Sequence, residues 1–84
     1  MSDNKIEILF GYFIEPYMNY ERIKVYYMKN DKEQKAVYMN YGKEKRDYRL
    51  IEDDHYARNG LRENERQEIA KALNNCEIRV YAQN

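Results

Sequence analysis

The stretch YERIKVYYMKNDKEQKAVYMNYG, Tyr20 to Gly42, decides the fold. Ile23, Val25 and Tyr27 fall on one side of an extended chain, and Arg22, Lys24, Tyr26 and Met28 on the other. A period of two marks a strand with two unlike faces, and places it at Tyr20 to Lys29. Asn30-Asp31-Lys32 is turn chemistry, because Asn and Asp tolerate left-handed backbone. Alternation resumes from Lys35 to Tyr41, with Val37, Met39 and Tyr41 opposite Ala36, Tyr38 and Asn40. Gly42 and Lys43 make the next turn. Two such runs joined by a short polar turn read as an antiparallel hairpin.

Reading outward, Ile6, Ile8, Phe10, Tyr12 and Ile14 alternate with Lys5, Glu7, Leu9, Gly11 and Phe13. That is an inner strand, and Pro16 is expected to stop it because proline cannot donate to a ladder. On the other side, a shorter strand from Asp47 to Glu52 places Tyr48 and Leu50 on one face. A helix is expected from Arg62 to Asn74, with acidic Glu63 and Glu65 in its first turn and Asn74-Asn75 as its stop. Its apolar stripe, Ile69, Ala72 and Leu73, is narrow. Cys76, Ile78, Val80 and Ala82 then alternate with Glu77, Arg79 and Tyr81 as a last strand. The expected fold is α+β, one domain over residues 1–84. It has a single antiparallel sheet of about five strands in the order β-β-β-β-α-β, with one helix packed on one face.

One helix covers only one face of a sheet. The other face is polar, self-associated or reserved for a partner. The chain holds 10 tyrosines, two phenylalanines and no tryptophan. Tyrosine buries a large ring and keeps a hydroxyl that seeks water or a partner. Ile, Leu, Val and Phe together make up about one residue in five, a thin core that tyrosine must supplement. Parity sorts the rings. Tyr12 and Tyr27 are expected in the core, Tyr26 and Tyr38 on the open face, and Tyr17, Tyr20 and Tyr56 at turns or strand ends.

The 15 basic and 15 acidic residues cancel, which argues against a general grip on nucleic acid or an anionic membrane. Their distribution is uneven: residues 32–49 are locally basic and residues 50–68 locally acidic. The single cysteine, Cys76, permits no internal disulfide and suits a cytoplasmic protein. It is expected to point inward from the last strand, as an inert thiol. The N-terminus lacks the pattern of a signal peptide, and Ile8 to Ile14 is too short to span a bilayer.

Catalytic chemistry finds little to work with. Ser2 is the only serine, there is no threonine, and His55 is the only histidine. The cluster Glu52-Asp53-Asp54-His55 is the one group with hard-cation ligands, but consecutive residues on an extended chain point in opposite directions. It reads as an acidic turn. The three glycines are too far apart to cradle a phosphate. No enzyme, cofactor or metal site is expected.

Leu9-Phe10-Gly11-Tyr12-Phe13 resembles the aromatic-glycine run of the RNA-recognition-motif family. It lies on the first strand rather than the third, without the preceding basic-glycine pair, so the likeness fails. In general style the chain resembles small accessory proteins of phages and other mobile elements, which implies binding and inhibition of a host protein or complex. The expected contact surface is the open sheet face. Tyr26, Tyr38 and Tyr48 would be ring anchors there, and Arg22, Lys24, Lys35 and Arg49 would supply charge complementarity. A single-stranded nucleic-acid binder, stacking bases on the same rings, is one alternative. A self-associating homodimer is the other.

Overall fold

A computed structural model describes residues 5–51 and 61–82. Strands β1 (Ile6–Tyr17), β2 (Tyr20–Lys29), β3 (Lys32–Asn40) and β4 (Tyr48–Leu50) run as an antiparallel meander. Helix α1 (Glu63–Asn74) follows, then β5 (Val80–Tyr81). The sheet order is β4-β3-β2-β1-β5, and β5 lies parallel to β1. The α+β class and the element order agree with the sequence reading; the one parallel pair was not foreseen. The radius of gyration, 12.4 Å, matches the ~12 Å expected of a folded chain this long. No helix among the described residues is long and apolar enough to cross a membrane.

Two tight hairpins organise the meander. Met18-Asn19 and Asn30-Asp31 all have positive φ, between 50° and 69°. Two left-handed central residues make a type I′ turn, whose twist matches that of the strands it joins. The core lies between α1 and one sheet face. Ile23, Val25 and Tyr27 of β2, Ala36 and Tyr38 of β3, and Tyr48 of β4 meet Leu61, Ile69 and Leu73 there.

Three local departures correct the sequence reading. β1 carries a bulge at Leu9, since Ile8 pairs with Tyr27 and Phe10 with Tyr26. One extra residue flips the parity of everything after it. Ile6, Ile8, Gly11 and Phe13 therefore share the helix-covered face with Val25, Tyr27 and Ile23, while Phe10, Tyr12 and Ile14 lie on the other. Tyr12 is not a core residue. Secondly, β1 does not stop at Pro16. A second irregularity between Ile14 and Tyr17 absorbs the proline, and the strand continues to Tyr17.

Thirdly, Cys76 is not an inward strand residue. It is exposed, with φ 59°, just beyond the C-terminus of α1. Its N–H donates to Leu73 O at 3.2 Å and that of Glu77 to Ala72 O at 2.8 Å. These two bonds form a Schellman cap, which demands left-handed backbone at the Cys76 position. The strand that follows shrinks to Val80–Tyr81.

Candidate functional site

The helix-covered face leaves its opposite as the candidate surface. No helix or strand among the described residues packs over it. Strand pairing arranges its side chains in four rows across the sheet. At the end near Asn30-Asp31, Glu7, Met28 and Glu33 stand side by side. Next come Phe10, Tyr26 and Lys35. The third row is Tyr81, Tyr12, Lys24 and Val37. The fourth is Ile14, Arg22, Met39 and Arg49.

The centre is aromatic. Phe10 lies 5.1 Å from Tyr26 and 5.5 Å from Tyr12, centroid to centroid. Tyr81 lies 5.5 Å from Tyr12 and 6.1 Å from Phe10. Several of these contacts are edge-to-face, the arrangement that ring quadrupoles favour. The rings are half-buried or exposed, whereas Val37 and Met39 beside them are buried. The apolar surface available here is therefore mainly ring surface from β1, β2 and β5.

Charge frames the rings. Arg22 donates through Nε to Glu15 O at 2.8 Å and sits 5.9 Å from the centre of the Tyr17 ring. Arg49 forks onto Asp47, Nη2 to Oδ2 at 2.9 Å, and sits 5.8 Å from the Tyr41 ring. Tyr17, Met18, Tyr20 and Tyr41 form an exposed apolar fringe at this end of the sheet.

Of the expected contact residues, Tyr26, Arg22, Lys24, Lys35 and Arg49 are on this face. Tyr38 and Tyr48 are not. Tyr38 is 0 % exposed and donates its hydroxyl to Arg66 O of α1 at 3.0 Å. Tyr48 is 3 % exposed and donates to Glu21, while Asn74 Oδ1 accepts its backbone N–H at 2.8 Å. Burial pushes both phenols above their ordinary range, with the Glu21 carboxylate adding to the effect at Tyr48. The Tyr38 ring ties the sheet to the helix, whereas the Tyr48 ring reaches across the sheet to β2 and its backbone N–H makes the tie to α1. Ala36 and Tyr38 face α1, where the Tyr38 ring reaches a helix carbonyl. Parity alone does not reveal this, since Val37 and Met39 on the opposite side are buried too.

Sequence reasoning missed Phe10, Tyr12 and Tyr81. The signal for the first two was Gly11, because a lone glycine inside a strand marks a bulge or a close approach. Here it marks both. The bulge is two residues away, and a Cβ on Gly11 would stand 2.8 Å from Ile23 Cγ2. The expectations for Glu52-Asp53-Asp54-His55, Tyr56 and Ser2 fall outside the described residues. Among the described residues no group of His, Cys, Asp or Glu is placed to hold a metal ion.

A groove of about 740 Å³ runs between β4 and α1, lined by Arg49, Leu50, Arg66, Gln67 and Asn74 among others. It gathers opposite charges without a focus of one sign. Comparison with family models, with curated proteins and with solved structures finds no match.

Proposed function

We propose that this protein is a small, non-catalytic binding module that docks another protein through the sheet face opposite α1. The observation behind the reading is the contiguous ring cluster of Phe10, Tyr12, Tyr26 and Tyr81 framed by arginine and lysine. Apolar centres rich in tyrosine within a charged rim are the anatomy of protein interfaces. Basic Arg22, Lys24, Lys35 and Arg49 outnumber acidic Glu7 and Glu33 on this face, so a partner with acidic groups around an apolar patch fits best. The non-catalytic part rests on residue types, since the chain offers few nucleophiles or bases. A module of this kind acts by blocking or redirecting what it binds, as an accessory protein that inhibits a host protein would. An exposed thiol at Cys76 suits work in a reducing cytoplasm.

The test is affinity capture from the source cell with the parent chain, Phe10→Ala and Tyr26→Ala. Truncating a true anchor costs about 2 kcal/mol or more of binding, so both variants should lose the partner. A partner held equally by all three overturns the reading. Salt-sensitive retention of single-stranded RNA or DNA in a filter assay would overturn it in favour of base stacking.

A further inference from the structure

The charges on the ring-bearing face are sorted along the strands. Glu7 and Glu33 flank Met28 in the first row, and Arg22 and Arg49 flank Met39 in the last. The phenylalanine and tyrosine rings lie between. Alternate residues on a strand are ~6.7 Å apart, so the acidic and basic rows are separated by roughly 20 Å. The two end rows are complementary to each other when a copy is turned end for end, and the lysines of the middle rows, Lys24 and Lys35, then fall over Tyr26 and Val37 of the other copy rather than over each other.

We infer that in the isolated protein this face is occupied by a second copy of the chain; the inference rests on the reading of the face as a protein-binding surface. The symmetry follows from the pattern. A two-fold axis lying between the sheets and running across the strands inverts the order of the rows and keeps each strand over its own counterpart. The first row of one copy then lies over the last row of the other. Glu33 on β3 comes between the partner copy's arginines on β2 and β4, and Glu7 on β1 comes beside the one on β2. In the middle, Phe10 meets the second Tyr12, and Tyr26 meets the second Lys24, a ring against a cation. Such an interface is isologous: each contact occurs twice, and it closes after two copies.

The size of the face sets the strength. Five strands ~4.8 Å apart and four rows give a patch about 20 Å square. At roughly 400 Å² per copy it falls below the size of stable interfaces and in the range of weak, transient ones. Arg49 already bears Asp47 in an exposed fork, which adds little stability where it stands. Association is therefore reversible and depends on concentration, which leaves the face open to competition from another protein.

Sedimentation velocity over a concentration series, with native mass spectrometry, tests this. The parent chain should pass from monomer to dimer as concentration rises. Glu7→Lys with Glu33→Lys makes both ends basic, and Arg22→Glu with Arg49→Glu makes both ends acidic. Each double variant alone should weaken the dimer about tenfold or more. Mixed one to one, they should form a heterodimer, since an all-basic face complements an all-acidic one. The altered side chains are at least partly exposed, and circular dichroism on each variant confirms folding. A parent chain that stays monomeric throughout, or dimers indifferent to both charge reversals, overturns the inference. A monomeric parent whose captured partner is lost on Tyr26→Ala overturns the second copy and leaves the proposed function standing. A charge-sensitive dimer that captures no other protein supports the second copy and removes the foreign partner.

Discussion

Lys29 Nζ donates to Glu65 Oε1 at 2.8 Å, joining the end of β2 to the first turn of α1 with both side chains nearly buried. The same carboxylate oxygen accepts the backbone N–H of Arg62 at 2.9 Å. One acid thus caps the helix and pins it to the sheet. Breaking a buried pair from one side leaves the other charge without its counterpart, which costs about 3 kcal/mol. Glu65→Gln and Lys29→Met should each lower stability by that order in urea unfolding. The double variant Lys29→Met with Glu65→Met should recover the part of the loss due to the unpaired charge, but not the helix cap, about 1 kcal/mol.

The pair also gives stability an acid limb. Burial alone raises the Glu65 carboxyl, but the Arg62 N–H, the hydrogen bond from Lys29 and the lysine's charge together hold it below its ordinary value of 4.5. A carboxyl depressed in the folded state contributes fully above its unfolded value, and the contribution fades as pH falls through the folded value. The midpoint of urea unfolding should drop below pH 4.5 in the parent chain, and drop less in Glu65→Gln.

Tyr38 and Tyr26 should separate stability from binding. Tyr38→Ala empties a core site and should cost about 3 to 5 kcal/mol. Tyr38→Phe removes only the bond to Arg66 O, about 1 kcal/mol. Tyr26→Ala should cost less than Tyr38→Ala, because its ring is only half-buried. The alkaline side offers a second check. Burial, with Glu65 nearby, raises the Tyr27 phenol to about 12. A phenol kept neutral in the fold and ionised in the unfolded chain stabilises below 10.0 and loses that contribution as pH climbs towards 12. Stability should decline across that window, before ionised tyrosine absorbance reaches its full value.

These two tyrosines also mark where the sequence is legible. The sequence places β2 at its observed limits because its alternation is unbroken and its following turn has the right chemistry. The sequence places the helix within a residue because Glu63, Glu65 and the paired asparagines mark its ends. Parity fails on β1, where a bulge shifts the count, and on β3, where Val37 and Met39 are buried as well as Ala36 and Tyr38. In each case a tertiary constraint, a close approach at Gly11 or a helix carbonyl above Tyr38, outweighed the local pattern. One helix on one sheet foretells the face itself, but of its four clustered rings the sequence reading places only Tyr26 there.

Met18 is 73 % exposed at the tip of the first hairpin and takes a left-handed φ of 50°. A type I′ turn favours Asn followed by Gly at its two central positions. The chain has Met18-Asn19 there instead. Met18→Asn with Asn19→Gly should relieve the left-handed cost and stabilise the protein by about 1 kcal/mol, read as a higher urea midpoint at unchanged slope. A lower midpoint would mean that the tip's side chains contribute packing that outweighs their backbone strain.

Gly11 faces the core, paired with Val25 on β2 and Val80 on β5. A Cβ there would meet Ile23 Cγ2 at 2.8 Å, Lys24 O at 3.4 Å and Val80 Cγ2 at 3.7 Å. The first distance is too short to stand, and Ile23 is itself buried under α1. Alanine at position 11 must therefore displace a packed side chain, at about 1 to 3 kcal/mol. If that contact is the cause, removing its other half removes the cost. Ile23→Ala alone opens a cavity worth about 2 to 5 kcal/mol. In the double variant the new methyl enters part of that space, so Gly11→Ala should cost clearly less on the Ile23→Ala background than on the parent. A coupling of more than about 0.5 kcal/mol in that direction identifies the clash. Simple additivity would place the cost elsewhere, in the junction with β5 where Gly11 N–H donates to Arg79 O at 2.9 Å.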